Sequence, residues 1–102
     1  MTENQFIEIT RWQENTFNNA TALSKAFHLQ EEVGELIEDI KQNSENKRLE
    51  YADCFMLLFG AAKADGMTYS DICNAIEEKF AIIKNRKWGT PDENGVVKHI
   101  KE

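Results

Sequence analysis

Glu31-Glu32-Val33-Gly34-Glu35 and, further along, Glu50-Tyr51-Ala52-Asp53 set carboxylates in pairs three residues apart, inside stretches that otherwise read as packed helices. Residues three or four apart on a helix share a face. His28, Glu32, Glu35 and Asp39 therefore line up beside the apolar stripe of one helix, and Glu50, Asp53, Leu57 and Gly60 line up on the next. Antiparallel packing of the two can bring four carboxylates together at one end of their interface. Carboxylates crowded in a partly buried site repel one another and resist ionisation unless a positive charge sits between them. Hard divalent cations such as Mg2+ or Mn2+ meet that need, because they prefer oxygen ligands. Metals held this way bind phosphates and activate water for phosphorus chemistry. A lone E-x-x-E is usually a solvated face, so the case rests on two pairs on neighbouring helices. Glu38, Asp39, Glu77 and Glu78 read as solvated surface. A di-iron carboxylate bundle would use Glu-x-x-His on two helices, and neither His28 nor His99 is placed to complete that motif.

The elements that must position these acids follow from apolar spacing. Residues 3–14 form a first amphipathic helix with Phe6, Ile9 and Trp12 on one side, and the Asn- and Thr-rich "NTFNNAT" breaks the pattern. From Ala22 to about Gln42 the positions Ala22, Ala26, Leu29, Val33, Leu36 and Ile40 alternate in steps of four and three, a stripe suited to helix packing; "NSEN" ends it. The third helix spans about residues 46–64 and is apolar nearly all round from Cys54 to Ala62. Full burial of such a helix in so short a chain calls for a partner subunit over it. Gly66 caps its end, and Thr68-Tyr69-Ser70-Asp71 resembles a capping box that opens a fourth helix running to about Lys87, with Tyr69, Ile72, Ile76, Phe80 and Ile83 as its stripe. The remaining "WGTPDENGVVKHIKE" reads as an ordered loop followed by a short extended or helical end. The expected architecture is all-α, a bundle of four to five helices, oligomeric.

Bulk properties narrow the function. A chain of 102 residues with 41% hydrophobic and 29% charged residues fits one soluble domain with a single modest core. Five Gly and one Pro favour long helices over a turn-rich β fold. A net charge of −6 excludes a general binder of nucleic-acid polymers, which needs basic surface to displace counterions. It does not exclude an enzyme of small nucleotides, since a recruited cation supplies the missing positive charge. Cys54 and Cys73 fall within helical patterns and read as free thiols of a reducing, cytoplasmic compartment. No apolar run reaches the ~20 residues of a membrane span, and the N-terminus lacks a signal-peptide core.

"EEVGE…EYAD" resembles the E-E-x-x-E, spacer, E-x-x-D signature of the MazG-like all-α nucleoside triphosphate pyrophosphohydrolases. "RWQENTF", "HLQEEVGEL", "EYADCFMLL" and "RKWGTPDENG…H" extend the resemblance over nearly the whole chain, to the small phage and prophage branch of dATP/dGTP pyrophosphohydrolases. The resemblance implies Mg2+-dependent hydrolysis between the α and β phosphates of a nucleoside triphosphate, giving monophosphate and pyrophosphate, by a homodimer or homotetramer. It makes Glu32, Glu35, Glu50 and Asp53 the metal ligands, with Mn2+ as a substitute ion, and gives Glu31 a supporting or water-orienting role. Lys79, Lys84 and Arg86, with Lys87, supply cationic character for the leaving pyrophosphate at the end of the fourth helix, where basic residues also suit the helix dipole. Where the family pattern sets an Asn four residues after the lysine aligned with Lys79, this chain has Ile83, with Asn85 two positions on. Trp12 and Trp88 are candidates to stack on a base. His28, one turn before Glu32, is placed to contact substrate or hold a carboxylate. A binding-only relative that senses nucleotides and a structural helical protein are the competing readings.

Overall fold

The computed structural model describes residues 1–101. It has four α-helices: α1 (Glu3–Thr16), α2 (Ala22–Lys41), α3 (Lys47–Ala64) and α4 (Tyr69–Lys84). They group into two compact units, Met1–Ser70 and Asp71–Glu102. Among the described residues no fifth helix follows α4.

Local signals set the helix ends of the first unit. Thr2 and Thr21 each accept a hydrogen bond from the backbone three residues on, and the side chains of Gln5 and Ser24 bond back to the cap amides, two complete capping boxes. α2 stops at Asn43, which takes the left-handed conformation (φ 51°) while Ser44 N–H donates to the Asp39 carbonyl at 2.9 Å. α3 stops the same way at Gly66 (φ 96°), with Gly66 N–H on the Lys63 carbonyl and Met67 N–H on that of Ala62, both at 3.0 Å. These bonds satisfy carbonyls that the helix itself leaves open.

α2 packs along α3, and α1 packs on α3. Residues 42–46 join α2 to α3, a connection short enough to make them antiparallel neighbours. Phe6 is 1% exposed and meets Phe59 edge-on at 6.1 Å and Tyr69 at 5.5 Å. Gln13 Nε2 donates to the Met56 carbonyl at 2.9 Å, tying α1 to α3. That approach needs Gly60: a Cβ there would overlap Gln13 Oε1 and stand 2.9 Å from its Cδ.

Two inward faces differ from the sequence pattern. On α1 the buried line is Phe6, Thr10 and Gln13, whereas Trp12 is exposed. Thr10 is tolerated because its hydroxyl donates to the Phe6 carbonyl at 2.9 Å. On α2 the inward line runs Ala22, Lys25, Leu29, Glu32, Leu36 and Asp39, and the expected stripe members Ala26, Val33 and Ile40 face out. On α3 the expected line of Glu50, Asp53, Leu57 and Gly60 does turn inward, yet Phe55 and Leu58 are 60% and 53% exposed rather than enclosed. Among the described residues nothing encloses them.

α4 begins at Tyr69, at the end of the first unit, as the Thr68 motif implies, and in the second unit it ends at Lys84, three residues before the expected Lys87. Asn85 Nδ2 bonds to the Ala81 carbonyl at 3.0 Å, and Asn85 and Arg86 amides tighten to contacts three residues back. The tail then folds on itself. Trp88 pairs with His99 in an antiparallel bridge, Gly89 N–H reaches the Lys98 carbonyl at 2.9 Å, and Ile100 N–H reaches that of Lys87 at 2.7 Å. Of α4's expected stripe, Ile72 is buried, whereas Ile76 and Phe80 are exposed.

Candidate active site

The α2–α3 hairpin sets Glu32 and Glu35 of α2 against the first turns of α3. One carboxylate oxygen from each of Glu32, Glu35 and Glu50 lies within 4.8 Å of the others. Neighbouring oxygens around an octahedral Mg2+ sit roughly 3–4 Å apart, so a small adjustment of side chains closes the three on one ion. Glu50 Oε2 is buried and has no hydrogen-bond partner. A buried carboxylate oxygen without a donor is costly, and a cation relieves that cost directly. The donor set, all hard oxygen, suits Mg2+ or Mn2+.

Glu32 registers the crowding. Its carboxyl is pushed from 4.5 up to about 7, first by desolvation, then by a hydrogen bond with Glu35 and the charges of Glu35, Asp53 and Glu50. His28 Nε2 stands 3.6 Å from Glu32 Oε1, within one turn on the same helix. Burial, followed by the charges of Asp53, Glu32 and Glu50, likewise raises the Cys54 thiol, so it stays protonated and unreactive. Cys54 and Cys73 are both free and partly buried.

Of the sequence-derived ligands, Asp53 lies outside the three-carboxylate group but near enough to act on Glu32. Glu31 is exposed and lines an open acidic recess of about 840 Å3 with Glu35, Glu38, Asp39 and Glu50. Glu38 is solvated, as expected, and pairs with Lys41 at 3.4 Å. A second recess of about 480 Å3 is largely apolar and includes Trp12, Phe17, His28, Asp53, Met56 and Leu57. Trp12 meets Phe17 edge-on at 5.7 Å, and Phe17 meets His28 edge-on at 6.2 Å. The acid cluster thus borders the open acidic recess through Glu35 and Glu50, and Asp53 beside it borders the aromatic one.

Lys79, Lys84, Arg86 and Trp88 belong to the second unit, and the cluster is built without them. Lys84 Nζ lies 4.7 Å over the Phe80 ring. Arg86 lines a basic recess of about 720 Å3 with Lys87, His99 and Lys101. The Trp88 indole N–H donates to the Ile83 carbonyl at 3.2 Å, and its ring meets His99 edge-on.

Residues 6–102 match the dATP/dGTP pyrophosphohydrolase family. The chain belongs to this family. Among solved structures it resembles a cyanophage S-2L MazG-like pyrophosphohydrolase bound to dGDP and three catalytic Mn2+ ions per active site, at 30% identity over 99% of both chains, with a TM-score of 0.78. No curated protein shows detectable similarity to the chain. A four-helix member of the dATP/dGTP pyrophosphohydrolase family is a nucleotide pyrophosphohydrolase, and the hard-oxygen cluster of Glu32, Glu35 and Glu50 fits the divalent metal that such chemistry uses.

Two buried polar residues near the site escaped the sequence reading. Lys25 and Gln13 are buried polar side chains on the inward faces of α2 and α1, and both line a small cavity of about 120 Å3 that shares Phe17, His28 and Leu57 with the aromatic recess. Their signal was periodicity: Lys25 is three residues before His28 and seven before Glu32, on the line that carries the acids.

Proposed function

We propose that the protein hydrolyses deoxynucleoside triphosphates of the dATP/dGTP type in the presence of Mg2+, between the α and β phosphates, to monophosphate and pyrophosphate. The observation that carries this reading is the convergence of Glu32, Glu35 and Glu50 with an unpartnered buried oxygen on Glu50. These three, with Asp53, would hold Mg2+ or Mn2+. Bound there, the metal supplies charge neutralisation along the phosphate chain and acidifies a coordinated water. Glu31, exposed at the rim of the acidic recess, orients the attacking water. His28 holds the Glu32 carboxylate in place from one turn away. Trp12 presents its ring to the base from the wall of the aromatic recess, and Trp88 is a second stacking candidate. Lys79, Lys84 and Arg86 neutralise charge on the pyrophosphate that leaves, drawn from this chain or from a second copy. The MazG-like phage neighbour, bound to dGDP and Mn2+, supports both the nucleotide and the metal assignments.

The same reading includes a homodimer or homotetramer in the cytoplasm. Leu23, Phe27, Leu49, Phe55 and Leu58 are all more than half exposed on α2 and α3, and exposed apolar side chains gathered on one hairpin favour a partner surface. A second copy covering that face accounts for the all-apolar character of α3. Among the described residues no helix is long and apolar enough to cross a membrane.

Incubation with each common dNTP and NTP plus Mg2+, with products resolved by anion exchange, tests the activity. Monophosphate with pyrophosphate is the expected pair. Diphosphate with orthophosphate would overturn the bond assignment, and no product from folded, Mg2+-binding protein would leave a nucleotide-binding relative in its place.

A further inference from the structure

α2 carries a second apolar face, about a third of a turn round from the line that meets α3. Leu23, Ala26, Gln30, Val33, Ile37 and Ile40 follow one another there in alternating steps of three and four, and all six are exposed. Such alternation marks the a and d positions of a heptad, the seam along which two helices interlock. Leu23, Gln30 and Ile37 take the a positions, and Ala26, Val33 and Ile40 take the d positions. No Asp, Glu, Lys or Arg falls on the seam, although α2 holds five acids and the chain a net charge of −6.

The two halves of this face differ in shape. In the N-terminal half, Leu23, Ala26, Phe27, Leu29, Gln30 and Val33 line a recess of about 440 Å3. The C-terminal half carries Ile37 and Ile40, 47% and 44% exposed. A helix with a hole at one end and branched knobs at the other complements its own reverse. Laid antiparallel on itself, the seam pairs Leu23 with Ile40, Ala26 with Ile37 and Gln30 with Val33, so that every layer sets one a position against one d position. A parallel pairing would instead set Ala26 against Ala26, leaving a gap, and would bring the acids of the two helices level with one another. Gly34 adjoins the midpoint of the seam. Nothing in the chain stands within 4 Å of where its Cβ would be, so the chain's own packing does not require a glycine that costs its helix about 1 kcal/mol against alanine. Close approach of a second backbone does require it.

We propose that α2 packs antiparallel against α2 of a second copy, about a two-fold axis midway between Gln30 and Val33, with Ile37 and Ile40 of each copy filling the recess of the other. This rests on the self-association reading above and commits it to one face and one direction. The two Gln30 amides flank the axis and hydrogen-bond across it, a polar pair that fixes the register. Antiparallel alignment also sets opposite ends of the helix dipoles side by side. A two-fold contact of this kind closes on itself and makes a dimer.

The test treats Leu23→Cys, Ile40→Cys and the variant carrying both with a short bifunctional maleimide, read on denaturing gels. The wild type, which keeps Cys54 and Cys73, sets the baseline. Positions 23 and 40 stand about 26 Å apart along one helix, too far to be joined within a chain. Only the double variant should form a covalent dimer above the baseline. Crosslinking in either single variant would overturn the antiparallel direction, and a ladder of larger species would overturn the closed two-fold. Sedimentation equilibrium on the wild type separates the two possible failures. An oligomer whose double variant does not crosslink would overturn this pairing and leave self-association standing, whereas a monomer would overturn both. Ile37→Lys should keep the single chain folded and raise the dimer dissociation constant about tenfold or more. An unchanged constant would overturn the seam, and this variant decides where the cysteine variants misfold.

Discussion

With its carboxyl raised to about 7, Glu32 keeps a proton in the metal-free protein at pH values where an unfolded chain, titrating near 4.5, has lost it. The folded state then binds the proton more tightly, so this contribution to stability is complete below about 4.5 and disappears as pH rises through about 7. Melting temperatures in EDTA should fall across that window, and Glu32→Gln should flatten the fall. An equal slope in the variant would place the titrating group elsewhere. Metal reverses the demand, because a ligand must be deprotonated; Mn2+ affinity should climb up to about pH 7 and level beyond it. Glu35→Gln should reduce turnover by more than the roughly ten- to hundredfold typical of residues that only support a ligand. Its metal-free melting point should hold or rise, since one repelling charge is gone. Unchanged activity would remove Glu35 from the metal shell. The acids were legible in the sequence because E-x-x-E and E-x-x-D on adjacent helices fix a shared face. Lys25 was not, because a lysine reads as surface even where its spacing puts it on the same line as the acids.

At the level of elements, Gly60 decides how closely α1 approaches α3. Gly60→Ala should push the Gln13 carboxamide aside and lose its bond to the Met56 carbonyl, destabilising the protein by about 1–3 kcal/mol, the usual range for overpacking. Denaturant melts check this, and adding Gln13→Ala should recover part of the loss, since contacting residues do not behave additively. A neutral Gly60→Ala would mean that Gln13 has room to move. Helix boundaries were readable from caps: Asn43 and Gly66 end α2 and α3 where their chemistry suits positive φ. Inward faces were less readable. On α2, two stripes run side by side, Ala26, Val33 and Ile40 in one and Lys25, Glu32 and Asp39 in the other, and hydrophobicity alone selects the first. In the chain by itself the second turns in, around Ala22, Leu29 and Leu36, which belong to both stripes and leave the turn between them open to either side. On α1, Thr10 and Gln13 hide among core positions because local and cross-helix hydrogen bonds satisfy them.

The exposed apolar face belongs to the scale of the whole molecule. Phe55 and Leu58 lie outside the chain's own core, so replacing both with Asp should leave the hairpin able to bind metal while breaking self-association. Sedimentation equilibrium should read an oligomer for the wild type and a monomer for the double variant. A wild-type monomer would require another cover for that face. The all-apolar run from Cys54 to Ala62 carried this expectation in the sequence, because full burial of one helix in so short a chain calls for a partner subunit over it. The number of copies in the expected oligomer depends on surface shape, which composition does not encode.

The short link through residues 42–46 has a kinetic consequence. All the clustered acids lie between Glu31 and Asp53, so they meet through contacts local in sequence, the kind that form early and quickly in folding. The step that zips α2 onto α3 is therefore the step at which like charges first collide, and that collision acts as a brake on an otherwise fast route. A divalent ion present during refolding lifts the brake. Stopped-flow refolding should run faster in Mg2+ than in EDTA, and Glu35→Gln should narrow the gap between the two.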